Sequence, residues 1–135
     1  MISTKLLILS ILNDILLSMK YFLLVLAIIL LSAGQLLLKK GVIDAPPQGT
    51  LQSVVTTLLN PYVIAGYFFY GVSSIVGLYV LKQLPISVAF PAMSTTYIII
   101  VFTSALWFKE PLTSYKLIGV ALILFGVSFL FRDGS

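Results

Sequence analysis

The sequence contains no cysteine and no histidine. The first absence excludes a disulfide framework and a thiol nucleophile. The two together exclude a Cys/His metal site and a histidine general base. Acids are scarce as well, with four Asp and Glu against eight Lys and Arg in 135 residues. Charged residues make up only 9% of the chain, hydrophobic residues make up 60%, and the mean hydropathy is +1.16. A soluble domain of this length could not hide so much apolar surface, so composition places the chain in the membrane class. The net charge of +4 is spread over chain ends and loops, as in most integral membrane proteins, and implies no nucleic-acid partner.

A hydrocarbon core of about 30 Å needs about 20 apolar residues in a helix. Four segments qualify, at about 21–38, 62–81, 86–108 and 114–131, and none contains an acid. The expected fold is therefore all-α, a four-helix transmembrane domain over residues 20–135. Spans two and three are joined by Lys82-Gln83-Leu84-Pro85, and spans three and four by Lys109-Glu110-Pro111-Leu112-Thr113, both tight antiparallel turns. Pro85 and Pro111 suit a helix start, where no backbone donor is needed. The first loop, about 39–61, holds the turn signal DAPPQGT and then LQSVVTTLLN, which reads as a short interfacial helix before Asn60-Pro61.

Residues 1–19 form a separate segment. Ser3, Ser10, Asp14 and Ser18 recur at spacings of seven and four and line one helical face among Leu and Ile. Two readings stand: an amphipathic helix along the membrane surface, or an extension upstream of a chain that starts at Met19. A signal peptide is disfavoured, because Asn13 and Asp14 interrupt the apolar run and no small-residue cleavage site follows. With four spans, Lys5, Lys20, Lys82 and Arg132 share one side, and Lys39, Lys40, Lys109 and Lys116 the other. This balance fits either dual topology with antiparallel pairing, or termini inside with Lys39 held within the protein.

Polar groups in hydrocarbon are costly and face a cavity or another helix. Ser32, Gln35 and Lys39 share one face of the first span. Gly66, Tyr70, Ser73, Ser74 and Gly77 share a face of the second, and Ser87, Pro91, Ser94, Thr95 and Ile98 a side of the third, flanked by Thr96 and Tyr97. Pro91 deprives the Ser87 carbonyl of its donor and bends the helix. Gly119 and Gly126, seven apart on an oily fourth span, read as a close-packing seam. Tyr62, Tyr79, Trp107 and Tyr115 read as interfacial anchors, and Glu110 as part of a solvated turn. The first span ends in LLSAGQLLLKKG, which offers an amide and two ammonium groups with no carboxylate in the run to pair them.

These runs resemble the small four-helix members of the drug/metabolite transporter superfamily, which have the small multidrug resistance fold. The likeness is nearest to the subunits proposed to flip undecaprenyl-phosphate-linked aminoarabinose across the bacterial inner membrane. It rests on Ala33-Gly34-Gln35 with Lys39, on Pro85 through Pro91 with Ser94, on Glu110-Pro111, and on Gly119 and Gly126, and covers about residues 20–131. Drug exchangers of this fold carry a membrane-embedded Glu in helix one, where this chain has Leu31. Without a carboxylate in any span, proton-coupled export of cationic drugs has no carrier group.

The resemblance implies a multi-pass protein of the bacterial inner membrane. It is expected to be a flippase for a polyprenyl-phosphate-linked monosaccharide, not an enzyme, with no cofactor and no metal. Lys39, with Lys40, is expected to hold the phosphate as a point charge. Gln35, Ser94, Thr95, Tyr70 and Tyr97 are the expected substrate ligands, and Pro91 the bend. Four helices are too few to enclose a sugar, so a homodimer, or a heterodimer with a similar small subunit, is expected along Gly119 and Gly126. The rival readings are a small-solute or drug exporter of the small multidrug resistance type, and a non-transporting subunit that supports a glycosyltransferase.

Overall fold

The computed structural model describes residues 2–45 and 49–133, with side chains placed from residue 10 to residue 132. The side chains of Ser3 and Lys5, and the turn expected at Pro46-Pro47-Gln48, lie outside what is described. Among the described residues six helices follow one another: α1 (Ile2–Ile43), α2 (Leu51–Leu58), α3 (Pro61–Gln83), α4 (Ile86–Met93), α5 (Thr96–Trp107) and α6 (Ser114–Asp133). Among the described residues there is no strand. Four stretches are long and apolar enough to cross a membrane: 10–43, 61–83, 86–107 and 114–132.

α1 has 42 residues, about 63 Å of helix at 1.5 Å per residue, twice the thickness of a hydrocarbon core. The N-terminal segment, read as an amphipathic helix or an upstream extension, is helical and runs on into the first span. The cause is local. Nothing before Gly34 is Gly or Pro, so no residue interrupts the hydrogen-bond ladder at Met19-Lys20.

α2 is the short helix expected in the first loop. Its start is fixed by a capping box in which the Thr50 hydroxyl accepts from Ser53 N and the Ser53 hydroxyl accepts from Thr50 N. Asn60 caps α3 through Tyr62 N, with Pro61 in the first turn. The Asn60 amide also donates to the Gly41 carbonyl at 3.3 Å and so ties the end of α1 to the start of α3.

α1 and α3 form the tightest pair. A Cβ on Gly34 would lie 2.9 Å from the Gly66 carbonyl oxygen and 3.1 Å from Tyr70 N, so only glycine lets the backbones approach this closely. Farther along the seam, buried Ser73 donates to the Ala27 carbonyl at 2.9 Å. Gly66, Ser73 and Gly77 thus belong to a packing seam, while Tyr70 and Ser74 on the same helix stay exposed. Leu24, Ile28, Val80, Leu84, Ala89 and Ala92 form the core where α1, α3 and α4 meet.

The third span is broken. α4 ends at Met93, two residues beyond Pro91, and α5 begins at Thr96. At the break the backbone tightens to bonds three residues back: Thr95 N to Ala92 O (3.1 Å), Tyr97 N to Ser94 O and Ile98 N to Thr95 O (both 3.0 Å). The bend expected at Pro91 is therefore a discontinuity displaced one turn toward the C-terminus. Pro85 caps α4 as expected, whereas Pro111 precedes α6 by three residues, in the extended link. α6 is peripheral: Val120 is buried, but Gly119 and Gly126 face open space, with nothing within 4 Å of a Cβ on either.

Candidate functional site

Two features of α1 and the broken third span create a polar cavity within the membrane-spanning region. The break at Ser94-Thr95 turns the start of α5 so that Thr96 points inward, and the Gly34–Gly66 crossing fixes Gln35 beside it. The resulting cavity of about 260 Å³ is lined by Leu31, Gln35, Phe90, Met93, Ser94, Thr96 and Tyr97. Three of the residues singled out in the sequence, Gln35, Ser94 and Tyr97, thus come together. Tyr70, Thr95, Lys39 and Lys40 do not line it.

Each polar group there has a definable capacity. The Gln35 side chain, half-buried, makes no hydrogen bond to any described residue and presents two donors and an acceptor. Thr96 is 3% exposed, and its hydroxyl oxygen is buried with no hydrogen-bond partner. An orphaned hydroxyl in such surroundings costs on the order of 1–3 kcal/mol, which a hydrogen-bonding group that reached it would relieve. The Ser94 hydroxyl donates its proton to the Pro91 carbonyl, and toward a ligand it can only accept. The cavity holds no charged group, and Leu31 stands on its wall. This arrangement can hydrogen-bond neutral hydroxyls, and no carboxylate lines it.

Thr96 was legible in the sequence only as a flanking residue. The assumption of an unbroken helix places it beside the Ser87–Pro91–Ser94 face, and the two tightened turns rotate it into the cavity. Ser32 does the opposite. It lies on the Gln35 face but is 2% exposed and returns its hydroxyl to the Ile28 carbonyl at 2.7 Å.

The expectation that the basic end of the first span lacks a carboxylate does not hold. Glu110, 71 residues away, closes on Lys39 as an ion pair and hydrogen bond. Lys116 adds a longer contact to the same carboxylate at 3.8 Å. Lys39 also lies 4.7 Å from the Phe108 ring centroid. Glu110 is presented by a turn in which Lys109 adopts φ +54°, a left-handed conformation that ends α5 sharply. The Lys39 hydrogen bond and charge, helped by Ser104 and Lys116, hold the Glu110 carboxyl below its ordinary value. Lys40 points elsewhere, with its ammonium 4.3 Å from the Tyr62 ring centroid, and makes no ion pair among the described residues.

Known proteins bear on what this architecture serves. The chain is 31% identical to an Aeromonas salmonicida protein named "Probable 4-amino-4-deoxy-L-arabinose-phosphoundecaprenol flippase subunit ArnE", over 83% of this chain and 96% of that one. It is 34% identical to the corresponding subunit ArnF of Photorhabdus laumondii, over 78% of this chain and 91% of that one. The chain belongs to this family of flippase subunits. It is also 37% identical to the Sinorhizobium fredii protein y4nH over 75% of this chain and 85% of that one. No family model matches the chain, and no solved structure does.

Membership and the four apolar spans together make it a multi-pass inner-membrane protein of transport type. The ArnE and ArnF relatives are named as transport subunits rather than enzymes.

Proposed function

We propose that the chain is one subunit of a flippase that moves a polyprenyl-phosphate-linked monosaccharide across the inner membrane without proton coupling. The observation that carries this reading is the uncharged cavity. Gln35 and Thr96, neither with a partner, lie with Tyr97 at membrane depth, where Leu31 replaces a carboxylate. A sugar offers hydroxyls to such groups, while the long tail of the carrier lipid can stay in the bilayer. The relatives' names, which specify a phosphoundecaprenol-linked aminosugar, support the same class of cargo. Movement then follows the cargo's own gradient, sustained by its consumption on the far side. The word subunit in those names, and the open Gly119 and Gly126 face of α6, support a pair with a similar small chain.

The test is flipping of a fluorescent polyprenyl-phosphate monosaccharide in proteoliposomes, read by protection from a membrane-impermeant quencher. Gln35→Leu and Thr96→Val each remove a neutral hydrogen bond of about 0.5–1.5 kcal/mol and should slow flipping about two- to tenfold. Unchanged rates in both variants would sink the cavity's role. Wild-type protein that exchanges protons for a cationic drug, or that moves no lipid yet co-purifies with a glycosyltransferase, would sink the flippase reading.

A further inference from the structure

A second trough runs between α1 and α5, on a different face of α1 from the polar cavity. Its membrane part, about 360 Å³, lies between α1 and α5 and is walled by Ile29, Ala33, Leu36, Leu37, Ile99 and Trp107. The one polar residue there, Ser32, has turned its hydroxyl back to its own helix. A cavity of about 390 Å³ lies next along the same edge and is lined by Lys40, Ile43, Asp44, Leu106, Trp107 and Phe108. Trp107 is a wall of both. On α1 the lining residues Ile29, Ala33, Leu36, Leu37 and Lys40 follow at helical spacing, with Asp44 in the turn just after the helix, over about 22 Å. The two cavities are thus successive parts of one trough, apolar in the membrane and charged at its mouth.

We infer that this trough holds the carrier lipid itself, with the phosphodiester at Lys40 and the first isoprenoid units between α1 and α5. The inference rests on the flippase reading. Three features single out this occupant. The trough joins an apolar channel to a cation at interfacial depth, which is the polarity pattern of a phospholipid-like chain entering from the side. Lys40 lines its mouth with no carboxylate pair, its ammonium resting on the Tyr62 ring, whereas Lys39 is held by Glu110. Asp44, one turn beyond Lys40, brings the mouth close to neutral, so it accepts a singly charged phosphodiester more readily than a doubly charged phosphate monoester. The headgroup cavity at Gln35 and this trough lie on different faces of α1. The trough is therefore a holding site for the lipid, distinct from the path of the sugar.

The test is photolabelling in proteoliposomes with a polyprenyl-phosphate monosaccharide that carries a diazirine on its first isoprenoid units. Label should map to peptides containing Ile29–Leu37 and Ile99–Trp107. Unlabelled probe should compete better than polyprenyl monophosphate, and phosphatidylglycerol least. Lys40→Gln should cut labelling about fivefold, the worth of one interfacial lysine. Ala33→Trp fills the trough and should abolish labelling, with a melting scan in detergent confirming that the variant is folded. Label on α3 or α6, equal competition by phosphatidylglycerol, or indifference to Lys40→Gln would overturn the inference. Flipping is read separately. Trough labelling without flipping would support this site and sink the transport reading, whereas flipping with label elsewhere would sink this site alone.

Discussion

Replacing Gly66 with alanine places a methyl group 2.7 Å from Leu38 Cγ and 2.9 Å from both the Gly34 carbonyl oxygen and Leu38 N. The Leu38 side chain can swing aside, but the two backbone atoms cannot. Ordinary contact begins near 3.4 Å, so α1 and α3 must part by about 0.5 Å at the crossing. The same displacement carried along the seam stretches the Ser73–Ala27 bond from 2.9 Å to about 3.4 Å, where little of it survives. Overpacking of this kind costs about 1–3 kcal/mol, and an interhelical hydrogen bond in a membrane bundle is worth about 0.6 kcal/mol. Gly66→Ala should therefore lose about 2 kcal/mol in reversible unfolding from mixed micelles, followed by the fluorescence of the single tryptophan, Trp107. Gly71→Ala is the control, because a Cβ there meets nothing within 4 Å and the change gains only helix propensity, up to about 1 kcal/mol. If the two variants unfold at the same denaturant concentration, the close crossing and the cavity geometry built on it are wrong.

Three further outcomes follow from the same structure. Glu110 is held below its ordinary 4.5, so its pairing with Lys39 stabilises the fold above about pH 4.5 and is lost as pH falls through the depressed value. The melting temperature of the wild type should fall on acidification below that point, and that of Glu110→Gln should start lower and stay flat; parallel acid slopes would remove the pair from the account. Thr96→Val deletes an orphaned hydroxyl at nearly constant volume, so it should leave stability unchanged or raise it by about 1 kcal/mol while slowing flipping; a clear loss of stability in a melting scan would mean that the hydroxyl has a partner. Gly119→Leu and Gly126→Leu meet open space, so monomer unfolding should hold while association with a second small chain, read by energy transfer in liposomes, weakens; unimpaired association would clear α6 of the interface.

The four spans were legible because apolar length alone decides them, and α2 because a turn signal precedes LQSVVTTLLN. Tyr62, Tyr79, Trp107 and Tyr115, read as anchors from their places in the sequence, are exposed near helix ends. Other features depend on three-dimensional rotation or on distant partners. A proline announces a bend but not where the chain will tighten, so Thr96 was left on the flank. The glycines of α3 look alike in sequence, yet Gly66 meets a backbone and Gly71 meets nothing, because only the crossing point of α1 tells them apart. Glu110 was hidden by separation, since nothing near Lys39 in the sequence points to an acid 71 residues on.

That hidden pair changes the assignment of charge at the basic end of α1. Helical phase favours Lys39 over Lys40, because Lys39 shares the face of Gln35. Phase does not include the cost of parting a cation from a carboxylate it already holds. A phosphodiester that reached Lys39 would have to replace Glu110, which Lys116 also contacts, and gain only the difference between two similar anions. At Lys40 it gains more, since it displaces an aromatic ring rather than a paired acid, although Asp44 lines the same mouth. A phosphodiester stays ionised across the physiological range, so the interfacial cation that is still available decides where it rests. By pairing with Lys39, Glu110 offsets the cation that shares the Gln35 face of α1. Glu110→Gln would free Lys39 and should shift the phosphate toward the Gln35 face, with photolabel moving from Ile99–Trp107 to Phe90–Tyr97. Label that stays in place in this variant would show that the ion pair plays no part in steering the lipid.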